Sequence, residues 1–214
     1  MSNDRTAGKR RVPQQTRSIE RVERILDAAA ALVVSEGVDA LTTRSVARAA
    51  EVPVASLYQY FGDKDEILLA LVERDIAEMD AQVAADLGKL DLLSIGSIVE
   101  TTMRAFVKVY HRRPAFVEIW LRGRTNSAIN EFGRAHNKRV AADLFRLARD
   151  AGLVRPGTRR VHAELAVEVG DRLFQLAFED KLKGDNVIIR EGIELVRSYL
   201  ERHATTEGLE GVRP

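Results

Sequence analysis

Cysteine is absent from this 214-residue chain. That removes disulfides, thiolate zinc sites, iron–sulfur clusters and a cysteine nucleophile together. An excess of one charge is missing too, since 33 Lys and Arg face 32 Asp and Glu, a formal net charge of +1. A chain so balanced does not coat nucleic acid by bulk electrostatics. No stretch approaches the roughly 18 consecutive apolar residues that a membrane span requires. Residues Met1 to Val12 are polar and basic without an apolar core. No secretory signal is therefore expected, and the cytosol is the default location. Aromatic residues are scarce, at 6 % with a single tryptophan, whereas charged residues reach 30 %. That balance suits a soluble, strongly helical protein with a core large enough to need no staples.

What is present is a helical period along almost the whole chain. Residues 1–17 read as a basic arm, with Arg5, Lys9, Arg10, Arg11 and Arg17 against Asp4 alone. Two roles stand open for it: a disordered, solubilising terminus, or an arm that reaches a DNA backbone or minor groove. Val22, Ile25, Leu26, Ala29, Leu32 and Val33 then recur at three- and four-residue spacing. They predict an amphipathic helix that stops at Gly37. Thr42-Thr43 supplies an N-cap for a short helix from Arg44 to Ala50, and Pro53 opens another that runs to Phe61. Gly62 breaks that one. Asp63, with Glu66 three residues on, starts a fourth helix through about Met79 or beyond. Further helices are expected over about 95–111, around Phe116 to Leu121, over about 127–151, from the 155–158 loop to about Lys183, and on to about His203. Nothing alternates with period two for long enough to be a strand. The chain is all-α, with about nine helices. Its expected units are an arm at 1–17, a helix-turn-helix unit at 18–66, a larger helical unit at 67–205 and a flexible tail at 206–214.

The informative segment is ALTTRSVARAAEVPVASLYQYFGDKDE, residues 40–66. Stepping about 100° per residue along its second helix gathers Leu57, Phe61 and Val54 into one arc, which anchors it. The opposite arc carries Ala55, Ser56, Tyr58 and Gln59, small or hydrogen-bonding side chains without charge, and Tyr60 lies at the flank. An apolar back and a polar front able to meet base edges is what a recognition helix needs. Thr43 and Arg44 at the start of the preceding helix suit phosphate, as do the hydroxyls of Tyr58 and Tyr60 and the ammonium of Lys64. A plain helical hairpin with solvated tyrosines fits the bare pattern as well.

The linked motifs decide between these. LTTRSVARAAEVPVASLYQYFGDKDEIL resembles the N-terminal helix-turn-helix of the TetR family of bacterial transcriptional regulators. The resemblance spans about residues 18–72. It rests on the apolar first helix VERILDAAAALVVSEG, the threonine-initiated second helix, Leu57-Tyr58-Gln59-Tyr60-Phe61 and Asp63-Lys64-Asp65-Glu66-Ile67. Family members usually carry Gly, a hydrophobe and Ser at the turn, where this chain has Glu51-Val52-Pro53. Glu51 is then expected at positive φ, and Pro53 forfeits a side-chain capping bond. The resemblance implies base or nearby backbone contacts from Arg44, Ala55, Ser56 and Gln59, and phosphate contacts from Thr43, Tyr58, Tyr60 and Lys64. It also implies a homodimer on a palindromic operator in double-stranded DNA, and a small-molecule effector of unknown identity that releases a repressor.

The last two long helices are apolar on more than one face, as when a helix packs on two neighbours of which one is a second subunit. Leu173, Phe174, Ile189, Ile193, Val196 and Leu200 are the candidate interface residues, and the resemblance implies a four-helix dimer contact there. Burial wholly within one subunit is the alternative. Met103, Phe106, Tyr110, Phe116, Trp120 and Phe132 cluster in the middle helices, and with Phe174 they are candidates to line an effector pocket. Plain core is the competing assignment for each. No cofactor or metal is expected, because His111, His136, His162 and His203 are scattered and fall in no HExxH or ExxH motif. Catalytic motifs such as GxSxG are absent, and an enzyme is not expected. A helical ligand-binding protein with a degenerate DNA-binding unit, or an all-α enzyme, remain the alternatives to a regulator.

Overall fold

The computed structural model describes residues 14–123 and 127–213. The expected arm therefore lies, for residues 1–13, outside the described residues. Ten α-helices and one π-helical turn make up the fold, with no strand among the described residues. None of these helices is long and apolar enough to cross a membrane.

Helix α1 (Gln14–Glu36) buries Ile25, Leu26, Ala29 and Val33, as its period requires. It stops at Gly37, whose φ of 85° lets its N–H reach the Val33 carbonyl. Helix α2 (Thr43–Ala49) is closed at its start by a reciprocal pair. Thr42 Oγ1 accepts from the Ser45 N–H, and Ser45 Oγ accepts from the Thr42 N–H, both at 3.0 Å. Glu51 takes the left-handed turn position at φ 54°, as expected. The Val52 N–H then closes onto the Ala47 carbonyl.

Helix α3 (Val54–Leu57) is shorter than the pattern predicted. After Leu57 the bonds tighten: Gln59 N–H donates to Ser56 and Tyr60 N–H to Leu57, three residues back. Leu57 and Phe61 are buried as expected, but Val54 is 38 % exposed. Val54 is the first helical residue after the Pro53 cap and is not part of the buried anchor.

Helix α4 (Lys64–Leu87) begins where Asp63 accepts the N–H groups of Asp65 and Glu66 at 2.9 Å. Glu66 in turn accepts the Gly62 N–H at 2.7 Å. At 24 residues this helix runs unbroken through the expected boundary at 66/67, packing on α1 near its start and on α5 along its length. Asp75 sits in its middle at 1 % exposure. Its carboxylate lies 3.5 Å from Arg74 Nε and 3.6 Å from Arg113 Nε. Arg74 also reaches Glu23 and Asp27 of α1, at 3.1 and 2.8 Å. Glu78, one turn on, accepts from Arg113 at 2.6 Å and from Arg112 at 2.9 Å.

Helices α5 (Ile95–Arg112), α7 (Ser127–Asp150), α8 (Arg160–Phe178) and α9 (Asn186–Glu201) form the larger bundle. Between α5 and α7 the chain makes α6 (Pro114–Phe116), then widens into the π-helical turn Val117–Arg122. Both pack against α1. Helix α8 ends at Phe178, short of the expected Lys183. The Asp185 N–H turns back to the Ala177 carbonyl, and Gly184, at φ 73°, lies over the Phe178 ring. The expected flexible tail is a correction. Helix α10 (Thr206–Glu210) is capped by Thr205, and Leu93 and Val212 exchange backbone hydrogen bonds of 2.7 and 2.8 Å beyond it. Gly208 packs directly on the Leu153 carbonyl, an approach that a Cβ would block.

Near the end of α4, Asp86 accepts from Lys108 of α5 at 2.7 Å, Gln82 at 2.9 Å and Lys89 at 3.2 Å. The Lys108 ammonium, ahead of the other donors, holds its carboxyl down at about 2. A lowered carboxyl stabilises the fold above its ordinary range, and that contribution is lost as pH falls toward 2. Asp86→Asn is expected to cost about 1–2 kcal/mol at neutral pH, discounted for the solvated lysines. Urea unfolding of the variant should also show a flatter loss of stability between pH 4 and 2 than the parent.

Candidate nucleic-acid interface and effector cavity

The front of the helix-turn-helix is built from two helix starts and one turn. Thr42 and Ser45 satisfy each other at the start of α2, which leaves the next hydroxyl, Thr43, free to face outward. Its Oγ1 shares a hydrogen bond of 3.1 Å with the Tyr58 hydroxyl, from the turn after α3. The structure thus joins two of the predicted phosphate ligands into one two-oxygen surface. Tyr58 is 51 % exposed, although its backbone sits between the buried Leu57 and Phe61.

Arg44, Ala55 and Gln59 are exposed and Ser56 half-buried, so the predicted base-facing set shares the outer surface. Lys64 lies half-buried in the first turn of α4. Tyr60 is directed differently, for its hydroxyl accepts from Ser18 of α1 at 3.3 Å and braces α3 against α1. Arg44 and Lys64 form no ion pair among the described residues, nor does Arg48, one helical turn beyond Arg44. Arg48 was missed in the sequence, where its i,i+4 spacing from Arg44 was the available signal. Three uncommitted cations around an uncharged front suit a surface that grips phosphate at its edges and reads bases at its centre.

A second feature lies inside the larger bundle. Helices α5, α7, α8 and α9 enclose an apolar cavity of about 110 Å³. Of the predicted lining, Met103, Phe106 and Phe174 do face it. Tyr110, Phe116 and Trp120 do not, and neither does Phe132. Tyr110 and Phe116 are buried side by side at 5.8 Å between ring centroids, and Trp120 stacks on Phe116 at 5.7 Å. These rings make the wall behind the cavity.

The polar lining was not anticipated. Asp171 of α8 accepts from Trp120 Nε1 at 3.2 Å and from Gln175 at 3.0 Å. Burial pushes its carboxyl up, against the pull of Trp120. Thr102 of α5 is buried, and its hydroxyl has no hydrogen-bond partner among the described residues. His162 and His203, far apart in sequence, stack at 4.0 Å and also line the cavity. Burial, and then His162, hold the His203 imidazole below its ordinary value. The sequence signal for Asp171 was an acid set inside a helix apolar on two faces.

The candidate dimer residues need correction. Phe174, Ile189, Ile193 and Val196 are buried within the subunit, and Leu173 and Leu200 are half-buried. Leu173 packs against Gly192, where a Cβ would stand 3.3 Å from its Cδ1. The apolar face left open is the other one: Val161, Leu165, Val169 and Leu176 of α8 with Val187 and Leu195 of α9. Periodicity could not distinguish two apolar faces, because both repeat every three to four residues.

Comparison with known proteins agrees with both halves of this geometry. A family profile described as "Bacterial regulatory proteins, tetR family" matches residues 25–71. A second, "Tetracyclin repressor-like, C-terminal domain", matches residues 94–200. The structure is similar to that of a TetR-family transcriptional regulator from Streptomyces coelicolor, with a TM-score of 0.69 and 32 % identity, covering 86 % of this chain and 99 % of that one. The sequence is 25 % identical over 188 residues to the uncharacterized HTH-type transcriptional regulator YvkB of Bacillus subtilis, covering 80 % of this chain and 96 % of that protein. It is 35 % identical over 86 residues to the HTH-type transcriptional repressor KstR of Rhodococcus jostii, 40 % of this chain and 41 % of that one.

Removing a phosphate contact should weaken every DNA sequence alike, whereas removing a base contact should change the ranking. Tyr58→Phe and Lys64→Ala are expected to reduce affinity roughly uniformly across a panel of operator variants. Gln59→Ala is expected to reorder that panel. A competition assay in which Gln59→Ala leaves the order intact removes Gln59 from the base-reading set.

Proposed function

Because this chain belongs to the TetR family of bacterial transcriptional regulators and is not an enzyme, we propose that it is a dimeric repressor that leaves its operator when a small molecule fills the α5–α9 cavity. The observation that carries this is the continuity of α4. Its first turn carries Lys64 beside the candidate DNA contacts of α2 and α3, and its middle is ion-paired to the junction where α5 ends and the cavity-bearing bundle turns. A change of bundle shape on ligand binding then reaches α3 through a rigid element, with no flexible linker between. A coupling of about 1–3 kcal/mol between the two sites is typical of such regulators.

Two copies are needed to read a palindrome. The open face of α8 and α9, with Leu165 at 50 % and Leu195 at 51 % exposure, fits the surface of a four-helix contact. A two-fold axis through it would set two α3 segments about one DNA turn, roughly 34–36 Å, apart. Phosphate grip comes from a few side chains per subunit, so the near-neutral charge of the chain is no obstacle. It predicts a modest dependence of affinity on salt.

Light scattering of the purified protein at micromolar concentration is expected to give a dimer. The double change Leu165→Glu with Leu195→Glu should give a folded monomer and lower operator affinity by about 100-fold or more, since each half-site would then bind alone. Selection of genomic fragments followed by footprinting should show a two-fold symmetric protected site. A monomeric parent, or an asymmetric single half-site, contradicts this function.

A further inference from the structure

The cavity is lined by one acidic side chain, Asp171, which forms no ion pair among the described residues. Among the titratable groups that line it, Asp171 is acidic, and His162 and His203 are stacked imidazoles. The carboxylate accepts two hydrogen bonds, both from neutral donors, Trp120 and Gln175. Glu168, one turn earlier on α8, adds to its negative surroundings. The base that favours its charged form, His136, donates instead to Asp80 at 2.9 Å. A buried carboxylate without a cation is costly, and a ligand that brings one recovers that cost. From α5 the lining also presents the hydroxyl of Thr102, which has no hydrogen-bond partner among the described residues. Asn137 of α7 and Thr158 are the other polar residues of the lining, and the remainder is apolar.

We infer that the effector is a small apolar amine, whose ammonium group pairs with Asp171 and whose body lies among the side chains of α5, α7 and α9. The inference rests on the assignment of this cavity as the effector site and adds the chemistry of what enters it. An apolar anion is disfavoured by Asp171, and no lysine or arginine stands among the described lining residues to receive it. An alcohol fills the same volume and can meet Thr102, but it leaves the carboxylate's charge uncompensated. Pairing with Asp171 also competes with the Trp120 hydrogen bond. Trp120 belongs to the π-helical turn that packs on α1, and its ring lies so close over Gly133 that a Cβ there would overlap it. Occupancy of the cavity is therefore felt at the only tryptophan of the chain.

The test compares three probes of one shape, hexylamine, 1-hexanol and hexanoate, titrated calorimetrically into the full-length protein while Trp120 emission is followed. Hexylamine is expected to bind about tenfold more tightly than 1-hexanol, with hexanoate weakest, because a charge-assisted bond is roughly twice as strong as a neutral one. Hexylamine should also shift Trp120 emission more than 1-hexanol does. Asp171→Asn should bring hexylamine within about threefold of 1-hexanol while leaving 1-hexanol unchanged, and Asp171→Glu should keep the preference. The order of the three probes on the parent protein stands as a test whether or not either variant folds. If 1-hexanol or hexanoate binds as tightly as hexylamine, or the preference survives Asp171→Asn, the amine inference is overturned while the cavity stands as a ligand site. If none of the three binds, the assignment of the cavity falls and the inference falls with it.

Discussion

A carboxylate buried in the middle of a long helix must be compensated, and the compensation of Asp75 joins the two halves of this protein. Burial pushes its carboxyl up, while Arg74 and Arg113 oppose that from either side. Arg74 carries the network to Glu23 and Asp27 of α1, inside the DNA-facing unit. Arg113 stands at the break between α5 and α6, inside the larger one, and holds Glu78 as well. Removing one member of such a buried set leaves an uncompensated charge, which costs far more than an exposed pair. The ionic junction fixes the angle at which α4 leaves the bundle. Through α4 it also fixes where Lys64 and the turn after α3 are presented.

Two elements join the larger bundle to the helix-turn-helix unit, and both touch α1. One is α4 itself. The other is the π-helical turn, whose Trp120 is held by Asp171 from behind and whose backbone lies against α1. A π turn is a wider, less common winding that often marks a functional position. Here it places a large ring where Gly133 of α7 leaves room for it. The α1 helix is thus contacted both by α4 and by the π-helical turn.

Several local signals in the sequence were faithful, although α3 and α8 end earlier than their breakers at Gly62 and Gly184 implied. The Thr42 and Asp63 caps, the stop at Gly37 and the positive φ of Glu51 are all decided by neighbours within four residues. Long-range choices were not legible. Whether Ile193 or Leu195 of α9 faces its own core depends on which neighbour arrives, and both repeat with the same period. Trp120 and Phe116 read as pocket because they are aromatic, yet they support the pocket from behind. Of the side chains with chemistry in the cavity, Asp171 and His162 share α8, but Thr102 belongs to α5 and His203 lies beyond the end of α9, so no single spacing rule brings the set together. The tail was misjudged for a similar reason: its partner, Leu93, lies more than a hundred residues away.

The brevity of α3 has a consequence for how binding information is stored. Four residues of helix have almost no stability of their own, since nucleation alone consumes what one turn can return. The outer face formed by Ser56, Tyr58 and Gln59 exists only because Leu57 and Phe61 are driven into the core beneath it. That surface cannot loosen by itself, and it melts only together with the three-helix unit that carries it. Specificity and cooperative unfolding are then the same property seen from two sides: a core substitution under α3 that never touches DNA would blur the sequence being read before it unfolded the protein.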